Sequence, residues 1–189
     1  MTERDLLVDC LRRLNRTQVA YMLTGSMASN YWGVPRTTHA LDFVVQLPPT
    51  SIAAVVAAFR DDFHVDETAI REAYRPPYQF NALDNRSALK VDFWMLQTEP
   101  FEREMFARRV SATLFGEPAH IATVEDVVLH KLYWNKITPS ERQLGDAAGV
   151  IAVQRVKLDL AYLHHWADQL QVAAALDDLL AGRIRPKHT

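Results

Sequence analysis

LTGSMASNYWGVPRTTHALDFVVQL, residues 23–47, holds the transitions that organise the chain. An apolar run, Val19 to Leu23, stops abruptly at Gly25-Ser26. A short segment ending at Gly33 leads into the polar turn Pro35-Arg36-Thr37-Thr38. A second apolar run, Leu41 to Leu47, follows, broken by one carboxylate, Asp42. The pattern predicts strand, Gly-Ser turn, short helix and a strand carrying an inward acid. Such a unit suits a metal-bound phosphate. Glycine permits close backbone approach, helix N-terminal N–H groups and a serine hydroxyl can cradle an anion, and a neighbouring carboxylate can hold Mg²⁺.

Working outward, 189 residues fit one domain, or one with a helical extension. The hydrophobic share of 49% is ample for a core. A net charge of −2 gives no bulk attraction for nucleic acid, although a local basic groove would act through charge distribution rather than sum. The lone cysteine, Cys10, excludes a disulfide framework and a cysteine metal site and reads as core. No signal-like opening and no apolar run of membrane-spanning length are present, so the expectation is a soluble, cytoplasmic protein without membrane partners.

Residues 3–16 place Leu6, Leu7, Cys10, Leu11 and Leu14 at helical spacing. Strands are expected at Val19–Leu23 and Leu41–Leu47, the latter ended by Pro48-Pro49, with Thr50 or Ser51 capping a helix to about Arg60. Residues 63–77 are ambiguous. Tyr78–Leu83 and Leu89–Leu96 read as a hairpin turning at Asp84-Asn85-Arg86, in which Lys90, Asp92 and Trp94 share one face. Everything after about residue 124 reads helical: starts at Thr123, Pro139-Ser140-Glu141 and Asp159, a short helix over Ala173–Ala181 stopped by Gly182, and a frayed tail Arg183–Thr189. The expected class is α/β (α+β): a small mixed sheet flanked by helices, with residues 1–120 as core and 121–189 as a C-terminal helical lobe.

A lone strand acid is ordinarily a solvated-face residue. Two of them, Asp42 and Asp92, set among apolar neighbours, shift the reading, because burying carboxylates is costly without a cation or hydrogen bonds. Arg36, for which a surface charge is the ordinary alternative, suits a phosphate or base contact just ahead of the acid-bearing strand. Lys131 falls on the apolar face of its helix, four residues after Val127 and three after Val128, where a snorkelling lysine is the ordinary alternative. His39 reads as solvated, and His164-His165 lack the i, i+4 spacing of a helical zinc pair. Trp32, Trp134 and Trp166 are expected in the core.

Gly25-Ser26, Gly33, Arg36, Thr38 and Leu41-Asp42-Phe43 together resemble the signature of DNA polymerase β-like minimal nucleotidyltransferases, nearest the branch of the AbiEii and MenT toxins. The resemblance implies a nucleotidyltransferase fold and Mg²⁺-dependent transfer of NMP from an NTP to an acceptor hydroxyl, a tRNA 3′ end or a protein, in a toxin–antitoxin or phage-defence setting with a cognate antitoxin. It implies that Asp42 and Asp92 bind metal, Asp92 also serving the attacking hydroxyl. Gly25, Ser26, Arg36, Thr38 and Lys131 would contact the nucleotide. Asp146 would partner Lys131 or touch the nucleotide and complete the catalytic set, with Glu141 and Gln143 as lesser candidates. An aminoglycoside-type small-molecule transferase is a third option with little support, since no dedicated acidic pocket segment is evident.

The chain departs from the pattern at one position: the acid expected two residues before Asp42 is Ala40. Three accounts fit: an engineered inactivation of a toxic protein, a naturally degenerate member, or an enzyme working with one acid fewer. Alanine supplies no oxygen, which argues against the last, and retention of the rest of the motif favours the first. The competing class is a non-catalytic nucleotide- or RNA-binding module, or an antitoxin-type partner.

Overall fold

The computed structural model describes residues 1–186. It divides into two compact units, one of Met1–Thr24 with Thr38–Ile121, the other of Gly25–Thr37 with the chain from Ala122 onward. The last three positions of the expected frayed tail, Arg183–Thr189, lie outside the described residues.

The first unit is built on a mixed seven-stranded sheet in the order β3-β4-β5-β2-β1-β7-β6. Its strands are β1 (Ala20–Thr24), β2 (Ala40–Gln46), β3 (Phe63–His64), β4 (Gln79–Asp84), β5 (Lys90–Met95), β6 (Val110–Leu114) and β7 (Glu117–Ile121). β2 lies antiparallel to β1 and parallel to β5, a register that aligns Thr24, Asp42 and Asp92 across three strands. Side chains alternate across a strand, so Phe43, Phe93 and Phe80 point to the opposite face. There they stack, Phe43 on Phe93 at 5.8 Å and Phe80 on Phe93 at 4.9 Å, with Phe59 edge-on at 5.6 Å.

Helix α1 (Glu3–Thr17) buries Leu6, Leu7, Cys10, Leu11 and Leu14, the stripe its spacing predicts, and opens on a capping box between Thr2 and Asp5. Helix α3 (Ile52–Phe59) follows a 3₁₀ turn over Pro49–Ser51. Ser51 therefore sits in right-handed helical geometry and makes no side-chain cap bond, contrary to the expected cap. The ambiguous segment resolves into β3 and α4 (Glu67–Glu72).

The sheet is larger than the sequence implies. Helix α5 (Pro100–Arg108) and the β6–β7 hairpin occupy residues the pattern left unassigned. The hairpin strands, VSATL and EPAHI, are five residues each, and the second carries a proline. Their place comes from β7 pairing parallel to β1 at Leu23 and Ile121, a contact no local propensity encodes.

The second unit contains α2 (Gly25–Trp32), α6 (Val124–Ile137), α7 (Glu141–Gln154), α8 (Leu160–Gln169) and α9 (Ala173–Leu180). Small residues of α7, among them Gly145, Ala147, Ala148 and Gly149, are buried. A Cβ built on Gly33 would stand 2.7 Å from the Val150 backbone nitrogen, so the chain leaving α2 approaches α7 as only glycine allows. The Trp32 indole N–H donates to the Ala122 carbonyl at 2.9 Å, and the Gln154 amide donates to the Trp32 carbonyl at 2.9 Å. Trp32, Trp134 and Trp166 are partly accessible rather than fully buried, which corrects their assignment to the core.

Candidate functional sites in the two units

In the sheet unit, Thr24, Asp42 and Asp92 form one row on one face. Asp92 is 6% exposed and Thr24 2%. Among the described residues, the Thr24 hydroxyl oxygen and Asp92 Oδ1 are buried without a hydrogen-bond partner. Buried oxygens without donors are costly. The Trp94 indole nitrogen stands 3.4 Å from Asp42 Oδ1.

Two residues earlier on the same strands, Ala40 and Lys90 are register partners and share that face. The Lys90 ammonium reaches 3.1 Å from Asp92 Oδ1, off the direction a hydrogen bond requires, so the carboxylate has a cation beside it but no directed donor. Two carboxylates and a hydroxyl on neighbouring strands form a set of hard oxygen donors, which suits a divalent cation of the Mg²⁺ class. Ala40 adds no donor to it. Among the described residues no group of three or more His, Cys, Asp or Glu gathers around one point, so any ion here would rest on this pair, the hydroxyl and a ligand's own oxygens.

Thr38 is buried at the edge of the same unit, its backbone N–H 3.4 Å from Glu3 Oε2 and its hydroxyl 3.3 Å from the Ala40 carbonyl. It holds the entry to β2. His39 is exposed, as expected of a solvated histidine. A cavity of about 750 Å³ in this unit lies at the far ends of β1, β2 and β5, lined in part by Gln18, Leu47, Tyr74 and Met95, away from the carboxylate row.

In the helical unit, Gly25 takes φ 63°, the left-handed conformation that favours glycine, and α2 starts there. Ser26 follows in its first turn. Arg36 is held by Asn30, whose amide donates to the Arg36 carbonyl at 2.7 Å and accepts from the Arg36 N–H at 3.1 Å. Its guanidinium then donates twice to Asp146, at 2.6 and 2.8 Å, and once to Ser26 Oγ at 2.8 Å. Lys131 on α6 donates to Asp146 Oδ2 at 2.8 Å. The side chains of Lys131 and Asp146 are 7% and 6% exposed, which corrects the snorkelling alternative for Lys131.

Ser26, Arg36, Lys131 and Asp146 thus meet in one unit. Burial would raise Asp146, but the bond from Arg36 and the charge of Lys131 outweigh it and hold the carboxyl below its ordinary value. Two cations converge on one carboxylate beside a serine hydroxyl, a composition that suits an oxyanion.

Next to Lys131, His130 accepts a 2.8 Å bond on Nε2 from the Trp134 indole, which requires that nitrogen unprotonated. Desolvation first and the Lys131 charge second push its pKa down to about 4. Gln143 lies one turn before Asp146 on α7, and its side-chain oxygen is buried without a partner among the described residues. Glu141 is exposed. Thr24 carried no motif signal and Lys90 only its shared face with Asp92. The one cue to Thr24 was its position directly before Gly25-Ser26 at the end of a strand.

No protein-family model matches the sequence, and no curated relative matches it. Solved structures do resemble it. An antigenic nucleotidyltransferase-like protein from Paracoccidioides brasiliensis aligns over 98% of this chain and 94% of its own, with TM-score 0.59 and 14% identity. ANT(2″)-Ia, solved in complex with adenylyl-2″-tobramycin, aligns over 96% and 97%, with TM-score 0.51 and 13% identity. At these identities the likeness is one of fold: the chain has a nucleotidyltransferase-like fold. Among the described residues, no helix is long and apolar enough to cross a membrane.

Proposed function

We propose that this chain binds a nucleoside triphosphate and that its chemistry is Mg²⁺-dependent transfer of NMP to an acceptor hydroxyl. The observation that carries the reading is the Arg36–Asp146–Lys131 group with Ser26, where two buried or half-buried cations converge on one carboxylate. In this reading Gly25, Ser26, Arg36 and Lys131 hold the nucleotide, while Asp146 orients the two cations.

Asp42 and Asp92, with Thr24, would hold the divalent ion, and the ion would neutralise charge developing on the phosphates. The reaction forms a bond from the acceptor oxygen to the α-phosphorus and breaks the bond from that phosphorus to the bridging oxygen. Pyrophosphate leaves, and the hydroxyl proton passes to the Asp92 carboxylate. The resemblance of residues 23–47 to the AbiEii and MenT branch supports a tRNA 3′ end or a protein hydroxyl as acceptor and a toxin–antitoxin role with a cognate antitoxin. ANT(2″)-Ia shares the fold and does not bear on the acceptor.

A second reading is a binding module that holds nucleotide without turning it over. It is favoured by Ala40, which supplies no oxygen to the carboxylate row, together with the ammonium of Lys90 beside Asp92.

The test is titration with a fluorescent ATP analogue, then incubation with each α-labelled NTP, Mg²⁺ and total tRNA or cell lysate, using this chain, Lys131→Met and Ala40→Asp, each checked by thermal melt. Nucleotide binding weakened about tenfold or more by Lys131→Met is expected, with label passing to tRNA or protein in the active form. Binding without transfer by either the unaltered chain or Ala40→Asp would favour the module. Absence of nucleotide binding would overturn both readings.

A further inference from the structure

We infer that Lys90 is a resident counter-cation of the Asp42–Asp92 row, which an incoming divalent ion has to displace and which is coupled across the strands to position 40. The inference rests on the reading of that row as an ion site, and concerns how the site is regulated rather than whether it exists.

The geometry comes from strand register. In the parallel β2–β5 pair, Ala40 faces Lys90 and Asp42 faces Asp92. All four side chains therefore project to one side of the sheet. Thr24 extends the row onto β1, opposite Asp42. Thr24 is almost fully buried and its hydroxyl has no partner among the described residues, so the row holds a buried oxygen that none of them satisfies. Asp92 Oδ1 is in the same condition except for Lys90, whose ammonium stands 3.1 Å away without hydrogen-bond alignment. A positive charge at that distance neutralises the carboxylate while leaving its lone pairs uncommitted, the arrangement expected of a cation that can be exchanged.

The Lys90 side chain is 48% exposed and that of Asp92 8%. The lysine can therefore swing into solvent while the carboxylate stays. A divalent ion entering the row would meet the ammonium charge at close range, and like charges a few ångströms apart oppose each other strongly even near solvent. Residue 40 is the natural modulator of this contest. With alanine there, the ammonium has Asp92 as its carboxylate on this face. With an acid there, the ammonium would gain a directly opposed cross-strand partner, and part of the new negative charge would be spent on lysine rather than on the ion.

The experiment is Mn²⁺ titration followed by electron paramagnetic resonance, with no nucleotide present, on this chain, Lys90→Gln, Lys90→Arg, Asp92→Asn, Ala40→Asp and the Ala40→Asp/Lys90→Gln double variant. Lys90→Gln is expected to tighten Mn²⁺ binding about tenfold, and Lys90→Arg to leave it within about twofold because the charge is retained. Ala40→Asp should tighten binding less in the Lys90 background than in the Lys90→Gln background, the mark of coupled sites.

If Mn²⁺ binds and Asp92→Asn abolishes binding, but Lys90→Gln leaves affinity unchanged or weakens it, Lys90 is no counter-cation and the inference falls alone. Equal effects of Ala40→Asp in both backgrounds would remove the coupling to position 40. If no variant binds Mn²⁺, or Asp92→Asn binds as well as the unaltered chain, the row is not an ion site and the inference falls with that reading.

Discussion

Arg36 and Asp146 stand 110 positions apart in the chain and meet fork to fork, Nε at 2.6 Å from Oδ1 and Nη2 at 2.8 Å from Oδ2. Lys131 takes a second bond to Oδ2. The acid is therefore the common anchor of two cations that would otherwise repel each other. Removing one partner of a buried pair leaves the remaining charges uncompensated. Asp146→Ala is expected to cost about 3 kcal/mol in urea-induced unfolding, and a cycle with Arg36→Ala should be strongly non-additive. A loss below about 1 kcal/mol would show that solvent screens the group far more than its burial implies.

His130 and Asp146 give the helical unit two windows of pH dependence. His130 has a folded pKa of about 4, lowered by desolvation and by Lys131, against an unfolded value of about 6.5. The unfolded chain takes the proton first, so the contribution of neutral His130 is complete above about pH 6.5 and declines as the pH falls toward 4. The slope is at most about 1.4 kcal/mol per pH unit for one group. Asp146 is lowered instead; its contribution is present above the ordinary carboxylate value of about 3.9 and is lost only at lower pH. Urea midpoints between pH 7 and 4.5 should therefore fall in the unaltered chain and flatten in His130→Gln. An unchanged slope in the variant would assign the effect elsewhere.

Gly33 is fixed by contact. A Cβ there would meet the Val150 nitrogen at 2.7 Å, the Gly149 carbonyl carbon at 2.9 Å and Val150 Cα at 2.9 Å, all of them backbone atoms that cannot rotate aside. Gly33→Ala is expected to destabilise the helical unit by about 2 kcal/mol. Thermal melts of the variant at or above the unaltered midpoint would mean that α2 and α7 separate freely.

Tyr162 on α8 donates its hydroxyl to Asp126 Oδ1 at 2.5 Å, and the Thr123 hydroxyl reaches Asp126 Oδ2 at 2.8 Å. Asp126 is fully buried. Losing a hydrogen-bond partner at a buried polar group costs about 1–3 kcal/mol, so Tyr162→Phe should lower stability by about 2 kcal/mol while far-UV circular dichroism stays unchanged. A loss under about 0.5 kcal/mol would show the hydroxyl to be replaceable by water.

Much of this protein is written in local pattern. The stripe on α1, the strand–turn–helix–strand order around Gly25 and Asp42, the shared face of Lys90, Asp92 and Trp94, and the helix starts at Thr123 and Asp159 follow from periodicity and capping, which act within a few residues. Four of the residues singled out, Ser26, Arg36, Lys131 and Asp146, come together in one unit.

Other features were decided only in three dimensions. The β6–β7 hairpin has short strands, one of them holding Pro118, and joins the sheet through a single parallel register with β1, so no local preference announces it. The alignment of Thr24 with Asp42, and of Ala40 with Lys90, depends on which strands become neighbours. Strand neighbours are chosen by long-range hydrogen bonding and by the stacked Phe43, Phe93 and Phe80 on the other face of the sheet. A sequence fixes which side chains a strand presents. Only the packed sheet determines which side chain, drawn from another part of the chain, stands opposite each of them.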